Sequence, residues 1–311
     1  MVRNDPLSDV LDALRLTGGM YFTADLRGDF AIVIPEDGDT IRIHGGLDGD
    51  CMVTVPGLPP IGLAAGDWVL IPHGATQTLF RDNSRPAVPL NEALSAGTLT
   101  PDGRFQYGET GACTTLLCGF CRFRAGFNHP VLSQLPKVVV LRAAEIRNDP
   151  PLTALLGILA AEHDGGQPGG TAILTRSMEM LLLYALRRLT GKEMSATPGF
   201  LTVLADRRLR RSVEAIHNRP EARWTLSDLA REAGMSRTAF AEAFAARAGM
   251  APAAYLRLWR MIRARDLLRH TDLDVSEIAA RCGYESVPSF SIRFKKETGL
   301  GPGAFRRLDA S

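Results

Sequence analysis

Leu226-Ser-Asp-Leu229-Ala230-Arg-Glu-Ala-Gly234 and Val275-Ser-Glu-Ile278-Ala279-Ala-Arg-Cys-Gly283 are two versions of one pattern, set 49 residues apart. One extra residue then enters the second copy, and the matches continue at an offset of 50. Phe240 pairs with Phe290, Phe244 with Phe294, Gly249 with Gly299, Pro252 with Pro302 and Tyr255 with Phe305. An internal repeat of this size means that one supersecondary unit occurs twice. Each copy reads as a helix-turn-helix. Thr225 with Asp228, and Asp274 with Glu277, are capping-box-like starts. Gly234 and Gly283 suit the left-handed residue that ends a helix. The second helices are expected over 236–248 and 286–298, with their phenylalanines at i and i+4 on the buried face.

Between the copies, 253–270 reads as a single helix. Leu258, Ile262 and Leu268 alternate there with Arg257, Arg260, Arg263, Arg265 and Arg269. A helix of ~18 residues spans about 27 Å. That is the right order to set two recognition helices roughly one DNA turn, ~34 Å, apart on one face of a duplex.

Charge supports a polyanionic partner. The whole chain has 311 residues, 45% apolar and 23% charged, with a net charge of +2. These values suit a soluble protein of about two domains and exclude collagen, wholesale disorder and a disulfide-rich miniprotein. The near-neutral total hides an asymmetry, because residues 206–311 carry 20 Lys and Arg against 13 Asp and Glu. The remaining residues are acidic on balance. A helical protein-interaction module is the alternative for the repeat, but it does not explain the basic charge.

From about 206 to 308 the chain resembles the AraC/XylS-type DNA-binding domain, most specifically in GYESVPSFSIRFKKETGLGPGAFRR, residues 283–307. The resemblance implies base contacts from Arg237, Thr238, Ala241 and Glu242 in the first copy, and from Val287, Pro288, Ser291 and Ile292 in the second. Arg237 can fork to guanine, and Glu242 can accept from cytosine or orient a neighbouring arginine. Phosphate contacts are expected from Ser236, Ser286, Ser289, Arg293, Lys295, Lys296, Arg306 and Arg307, which position the protein without reading sequence. The second copy departs from the family pattern. Ile292 stands where an arginine often follows the Phe-Ser pair, and Arg293 comes one step later, turned by ~100° along the helix. The first copy is therefore expected to carry most hydrogen-bonded readout, and the second to add apolar thymine contact.

From about 20 to 140 the periodicity is that of short strands, namely 31–34, 40–44, 52–55, 68–71 and 114–123, separated by GLDGD, PGLPP and AAGD. Strands of this kind suggest a sandwich or barrel. Gly66-Asp-Trp-Val-Leu-Ile-Pro72-His-Gly74-Ala-Thr-Gln77 resembles the second cupin motif, with Gln77 where a metal-binding cupin has histidine. The H-x-H of the first motif is absent, and only His44 stands in the corresponding strand. An amide oxygen is a poor transition-metal ligand, so no cofactor is expected, and a cupin-type metalloenzyme with an appended helical domain is the alternative reading. Residues 1–140 resemble the cupin sensor domain that precedes this DNA-binding domain in many AraC-type activators, which implies a barrel interior able to enclose a small molecule.

Five cysteines, with no apolar secretory leader at the N-terminus, suggest a reducing, cytoplasmic setting without structural disulfides. No stretch is long and apolar enough to span a membrane. His44, Cys51, His73, Gln77, Cys113, Cys118 and Cys121 are candidates for a sensor pocket or a thiol switch. Cys113, Cys118 and Cys121 with His129 also have enough donors for zinc. Against zinc, residues three apart on a strand face opposite sides. Buried, inert thiols are the third possibility.

Two helical runs, 151–163 and 171–189, flank the loop DGGQPGG. In the second, Leu174, Met178, Leu181, Leu182, Ala185 and Leu189 form one apolar stripe, and Ile173, Met180, Leu183 and Tyr184 widen it beyond one face. One side can pack on the barrel and the other on a second copy, making a homodimer. Packing on the DNA-binding domain is the alternative use. The expected fold is α+β: a cupin-like barrel over 1–145, a dimerisation hairpin over 146–190, a linker over 191–205 and an all-α double helix-turn-helix over 206–311. The expected function is transcription regulation, with double-stranded DNA, an unknown small-molecule effector or oxidant and, for an activator, RNA polymerase as partners.

Overall fold

The computed structural model describes residues 5–14, 16–82, 86–123, 130–165, 167–189 and 199–309. The strands among them are β1 (Thr17–Arg27), β2 (Ala31–Ile34), β3 (Thr40–Asp48), β4 (Asp50–Thr54), β5 (Ile61–Ala64), β6 (Trp68–Ile71), β7 (Gln77–Phe80), β8 (Val88–Pro89), β9 (Thr98–Leu99), β10 (Arg104–Tyr107), β11 (Cys113–Arg122) and β12 (Val139–Leu141). The helices are α1 (Pro6–Leu14), α2 (Leu90–Ala96), α3 (Pro130–Ser133), α4 (Ala143–Arg147), α5 (Pro150–Gly165), α6 (Gly170–Leu189), α7 (Phe200–Ala205), α8 (Arg207–Asn218), α9 (Leu226–Glu232), α10 (Arg237–Ala248), α11 (Pro252–His270), α12 (Val275–Arg281), α13 (Val287–Thr298) and α14 (Pro302–Asp309). The chain divides into two compact units, Leu16–Arg188 and a second made of Met1–Arg15 with Leu189–Ser311.

The first unit is built on two sheets, with strand orders β12-β6-β3-β11-β1-β10-β9 and β5-β4-β7-β2-β8. Their inner faces enclose one core. Ala24, Leu26, Val69, Ile71, Phe105 and Leu116 come from the larger sheet, and Ile32, Ile34, Cys51, Val53, Leu63 and Leu79 from the smaller. The period-two spacing of these residues within each strand is what a sheet with one buried face requires. The five expected strands correspond to β2, β3, β4, β6 and β11. The sequence reading missed β1, because TGGMYFTADLR carries two glycines and little β-branched content. Pairing overrides that weak propensity, as β1 runs antiparallel to β11 along its length and parallel to β10 from Thr23 onward.

Helix α6 packs on the outside of β1 and β11. Met178, Leu181, Leu182, Ala185 and Leu186 are buried there, and the Cys121 thiol donates to the Met178 carbonyl at 3.4 Å. The approach is close at Gly18, where a Cβ would overlap the Thr175 carbonyl oxygen. The Gly18 N–H donates to Glu179 Oε1 at 3.0 Å.

In the second unit the repeat folds as two helix-turn-helix subcores joined by α11. Phe240 and Phe244 are buried with Tyr255 and Trp259 in the first, and Phe290 and Phe294 with Met261, Leu268 and Ile278 in the second. Thr225 and Asp228 form the reciprocal capping box at α9, and Asp274 accepts from the Glu277 N–H at α12. Gly249 and Gly299 close α10 and α13 at φ +69° and +77°. The end of the stretch expected as linker does more than connect. Residues 200–205 form α7 and bury Phe200, Leu201 and Val203, because FLTVLA is too apolar to remain in water. Helix α1 belongs to this unit as well and packs against α8 and α11.

Candidate nucleic-acid interface and barrel interior

Helices α10 and α13 present matched faces. Ser236 and Ser286 cap α10 and α13 by accepting from the N–H groups of Ala239 and Ser289, which fixes the first turn of each helix. Arg237, Thr238 and Glu242 are exposed on α10 and Ala241 is half-buried beside them. The equivalent α13 positions are Val287, half-buried, Pro288, exposed, Ser291, half-buried, and Ile292, 72% exposed. The opposite faces hold the four buried phenylalanines, so each helix divides cleanly into a core side and an outward side. An isoleucine so exposed on a rigid helix is an apolar surface without a partner in the protomer. Helix α11 has 19 residues and so spans about 28 Å.

The expected phosphate donors separate by what already holds them. Ser236, Ser286, Ser289, Lys295, Lys296 and Arg307 are exposed. Arg293 turns to Glu297 at 2.6 Å, in keeping with its rotation away from the outward face. Arg306 donates to the Leu268 and Leu273 carbonyls at 3.2 and 2.6 Å, so its guanidinium ties α14 to the end of α11. Sequence reasoning credited that charge to DNA, and it is a structural clamp. Arg260 likewise donates to the Pro220 and Ala222 carbonyls.

The barrel interior gathers four of the sensor candidates. His44 Nδ1 lies 3.4 Å from Cys118 Sγ, Gln77 lies beside the imidazole, and Cys51 and Cys118 share the apolar core. Among the described residues, His44 Nε2 and both heads of the Gln77 amide find no hydrogen bond of ordinary geometry. Burial, helped by Arg42, lowers the His44 pKa to about 4, so the ring is neutral near pH 7. Burial pushes the thiols of Cys51, Cys118 and Cys121 up to about 12. Such thiols are protonated and poorly nucleophilic. His73 bonds the Leu135 carbonyl at 2.8 Å and Cys113 is half-buried at the start of β11; neither joins the interior cluster. Cys118 faces the core and Cys121 faces α6, so these two thiols do not meet. His129 lies outside the described residues.

A cupin metal would sit where His44 and Gln77 converge. One imidazole, an amide and high-pKa thiols do not make a ligand set for it, and among the described residues no group of three His, Cys, Asp or Glu side chains is placed to hold a metal ion. Around this cluster the side chains of both sheets pack into one core.

Comparison with known proteins agrees with both halves. Residues 5–191 match a family model described as Cupin, and residues 229–308 match a helix-turn-helix domain model. A protein of Streptomyces lividans described as an "AraC-like transcription regulator" is 28% identical, over 97% of this chain and 98% of its own. The HTH-type transcriptional regulator AlkR of Acinetobacter baylyi is 27% identical, over 97% and 99%. A solved AraC-type transcriptional regulator from Chromobacterium violaceum is 27% identical over 34% of this chain and 96% of its own, with a TM-score of 0.33. No helix among the described residues is long and apolar enough to cross a membrane. The chain belongs to the AraC family of DNA-binding transcriptional regulators, with a cupin domain before its double helix-turn-helix.

Proposed function

We propose that α10 and α13 read successive major grooves of one operator, and that the N-terminal unit adjusts this reading in response to a small molecule or oxidant. The observation that carries the DNA half is the matched outward exposure of Arg237, Thr238 and Glu242 on one helix and Pro288 and Ile292 on the other. Arg237 and Glu242 supply hydrogen-bonded base readout, with Thr238 and Ala241 beside them. Val287, Pro288, Ser291 and Ile292 form a mainly apolar face suited to thymine methyl groups. Ser236, Ser286, Ser289, Lys295, Lys296 and Arg307 anchor phosphates. Selection of binding sites from random duplex DNA by the full chain tests this. A recovered motif with a guanine-containing half beside a thymine-rich half supports it, and no enrichment over non-specific binding rejects it.

The regulatory half rests on the cupin unit. An effector that binds one arrangement of the chain better than another shifts the population toward it. An oxidant signal would enter through Cys113, because the other thiols of the unit are buried. Helices α5 and α6 leave Ile158, Ile173, Met180 and Leu183 between 36% and 47% exposed, and a homodimer through this hairpin covers them. Light scattering on the eluting protein decides the point: a dimer that Met180→Glu dissociates supports it, and a monomer at micromolar concentration rejects it. The protein acts where DNA is, in the cytoplasm, with RNA polymerase as a further partner if its output is activation.

A further inference from the structure

Strand β1 loses its neighbour partway along its length. It pairs with β10 only from Thr23, and the Thr23 N–H donates to the Gly103 carbonyl at 3.2 Å. Five residues earlier, the Gly18 N–H goes to Glu179 on α6. Between those two ties no strand pairs with that edge of β1 among the described residues. The α5–α6 hairpin stands across the gap and borders a half-open cavity of about 400 Å³, within the usual size of a small-molecule site.

The chemistry of the walls is specific. Met20 and Leu174 supply apolar surface, Thr171 and Thr175 hydroxyls, and Asp102 and Glu162 carboxylates. Among the described residues, no lysine, arginine or histidine lines the cavity. Asp102 has Arg104 3.7 Å away, but half-buried Glu162 has no ion-pair partner among the described residues. A half-buried carboxylate lining a cavity without a counter-ion among the described residues favours a cation, and a methionine adapts to an irregular apolar body.

We propose that this cavity, outside the barrel, binds an organic ammonium ion carrying a compact apolar group, with Glu162 as its counter-ion. The proposal rests on the reading of the N-terminal unit as an effector sensor, and gives that sensor a ligand class and a location outside the barrel interior.

Calorimetry on the full chain tests it with benzyltrimethylammonium, its uncharged isostere neopentylbenzene and the anion phenylacetate. The expected result is saturable binding of the cation, at least tenfold tighter than either of the others. Glu162→Gln, a near-isosteric change that spares the fold, should weaken the cation at least tenfold and leave neopentylbenzene unchanged. Leu174→Trp should block both. Equal binding of cation and isostere, preference for phenylacetate, or an unchanged affinity in Glu162→Gln would overturn the site. DNA affinity measured alongside separates the two claims. Cation binding that leaves DNA affinity unchanged keeps the site and rejects the sensor reading. A DNA response to a neutral or anionic compound, without cation binding, keeps the sensor reading and rejects the site.

Discussion

His217 and Asp9, 208 residues apart, meet through Nδ1 and Oδ2 at 3.0 Å. The imidazole is buried, stacked on Trp259 with ring centroids 3.6 Å apart, and its Nε2 lies 2.7 Å from the Tyr255 hydroxyl. Burial lowers the His217 pKa, opposed by the hydrogen bond and charge of Asp9. A neutral ring satisfies both contacts: Nδ1–H donates to the carboxylate and Nε2 accepts from the tyrosine. The first helix of the chain is thereby fastened to the repeat.

Asp9→Ala leaves the buried Nδ1–H without an acceptor, which costs about 1–3 kcal/mol. Denaturant unfolding of the full chain should show this loss in the transition that reports Trp259 fluorescence. An unchanged midpoint would mean that α1 does not dock through this pair.

Arg237→Ala should cost on the order of 1–3 kcal/mol on the preferred site and relax the choice at one base pair. Lys296→Ala should weaken all sequences alike and lower the salt slope by roughly one. Binding isotherms on matched and single-mismatch duplexes at several salt concentrations distinguish the two. Equal weakening on every duplex by Arg237→Ala would remove it from base readout.

His44 makes stability sensitive to acid. Its folded pKa of about 4 lies below the ordinary 6.5, so between those values the unfolded chain takes a proton that the folded chain refuses. The stabilisation is complete above pH 6.5 and drains away as pH falls toward 4, by about 3 kcal/mol at most. His44→Leu should flatten the stability profile of the N-terminal unit over that window. A variant with the same slope as the parent would contradict the burial of the ring.

Thiol titration of the native chain should give one fast cysteine and four slow ones. Cys51, Cys118, Cys121 and Cys282 are buried and only Cys113 is partly open. Cys113→Ser should remove the fast phase, and its persistence would show that another thiol is accessible.

Much of this was legible from residues alone, for identifiable reasons. The repeat is visible because Phe240/Phe290, Gly249/Gly299 and their neighbours recur at fixed spacing, and local capping by Thr225 and Asp274 marks the helix starts. The barrel strands with β-branched runs were equally plain. What stayed hidden depends on partners distant in sequence. Strand β1 has weak local propensity and is made by its pairing with β11. The clamp role of Arg306 is set by two distant carbonyls, Leu268 on α11 and Leu273 in the turn after it. Nothing near Asp9 announces His217. The cupin-like motif around Gln77 pointed to a ligand space in the barrel, whereas the cavity beside α6 is lined by residues with no shared motif.

Hydroxyl-radical footprinting of the full chain on its selected operator tests the central claim most directly. Two protected patches on one face of the duplex, about ten base pairs apart, are expected, with Arg237→Ala losing base discrimination in one patch only. A single patch, or discrimination that survives Arg237→Ala at both, would contradict the assignment of α10 and α13 as paired readers.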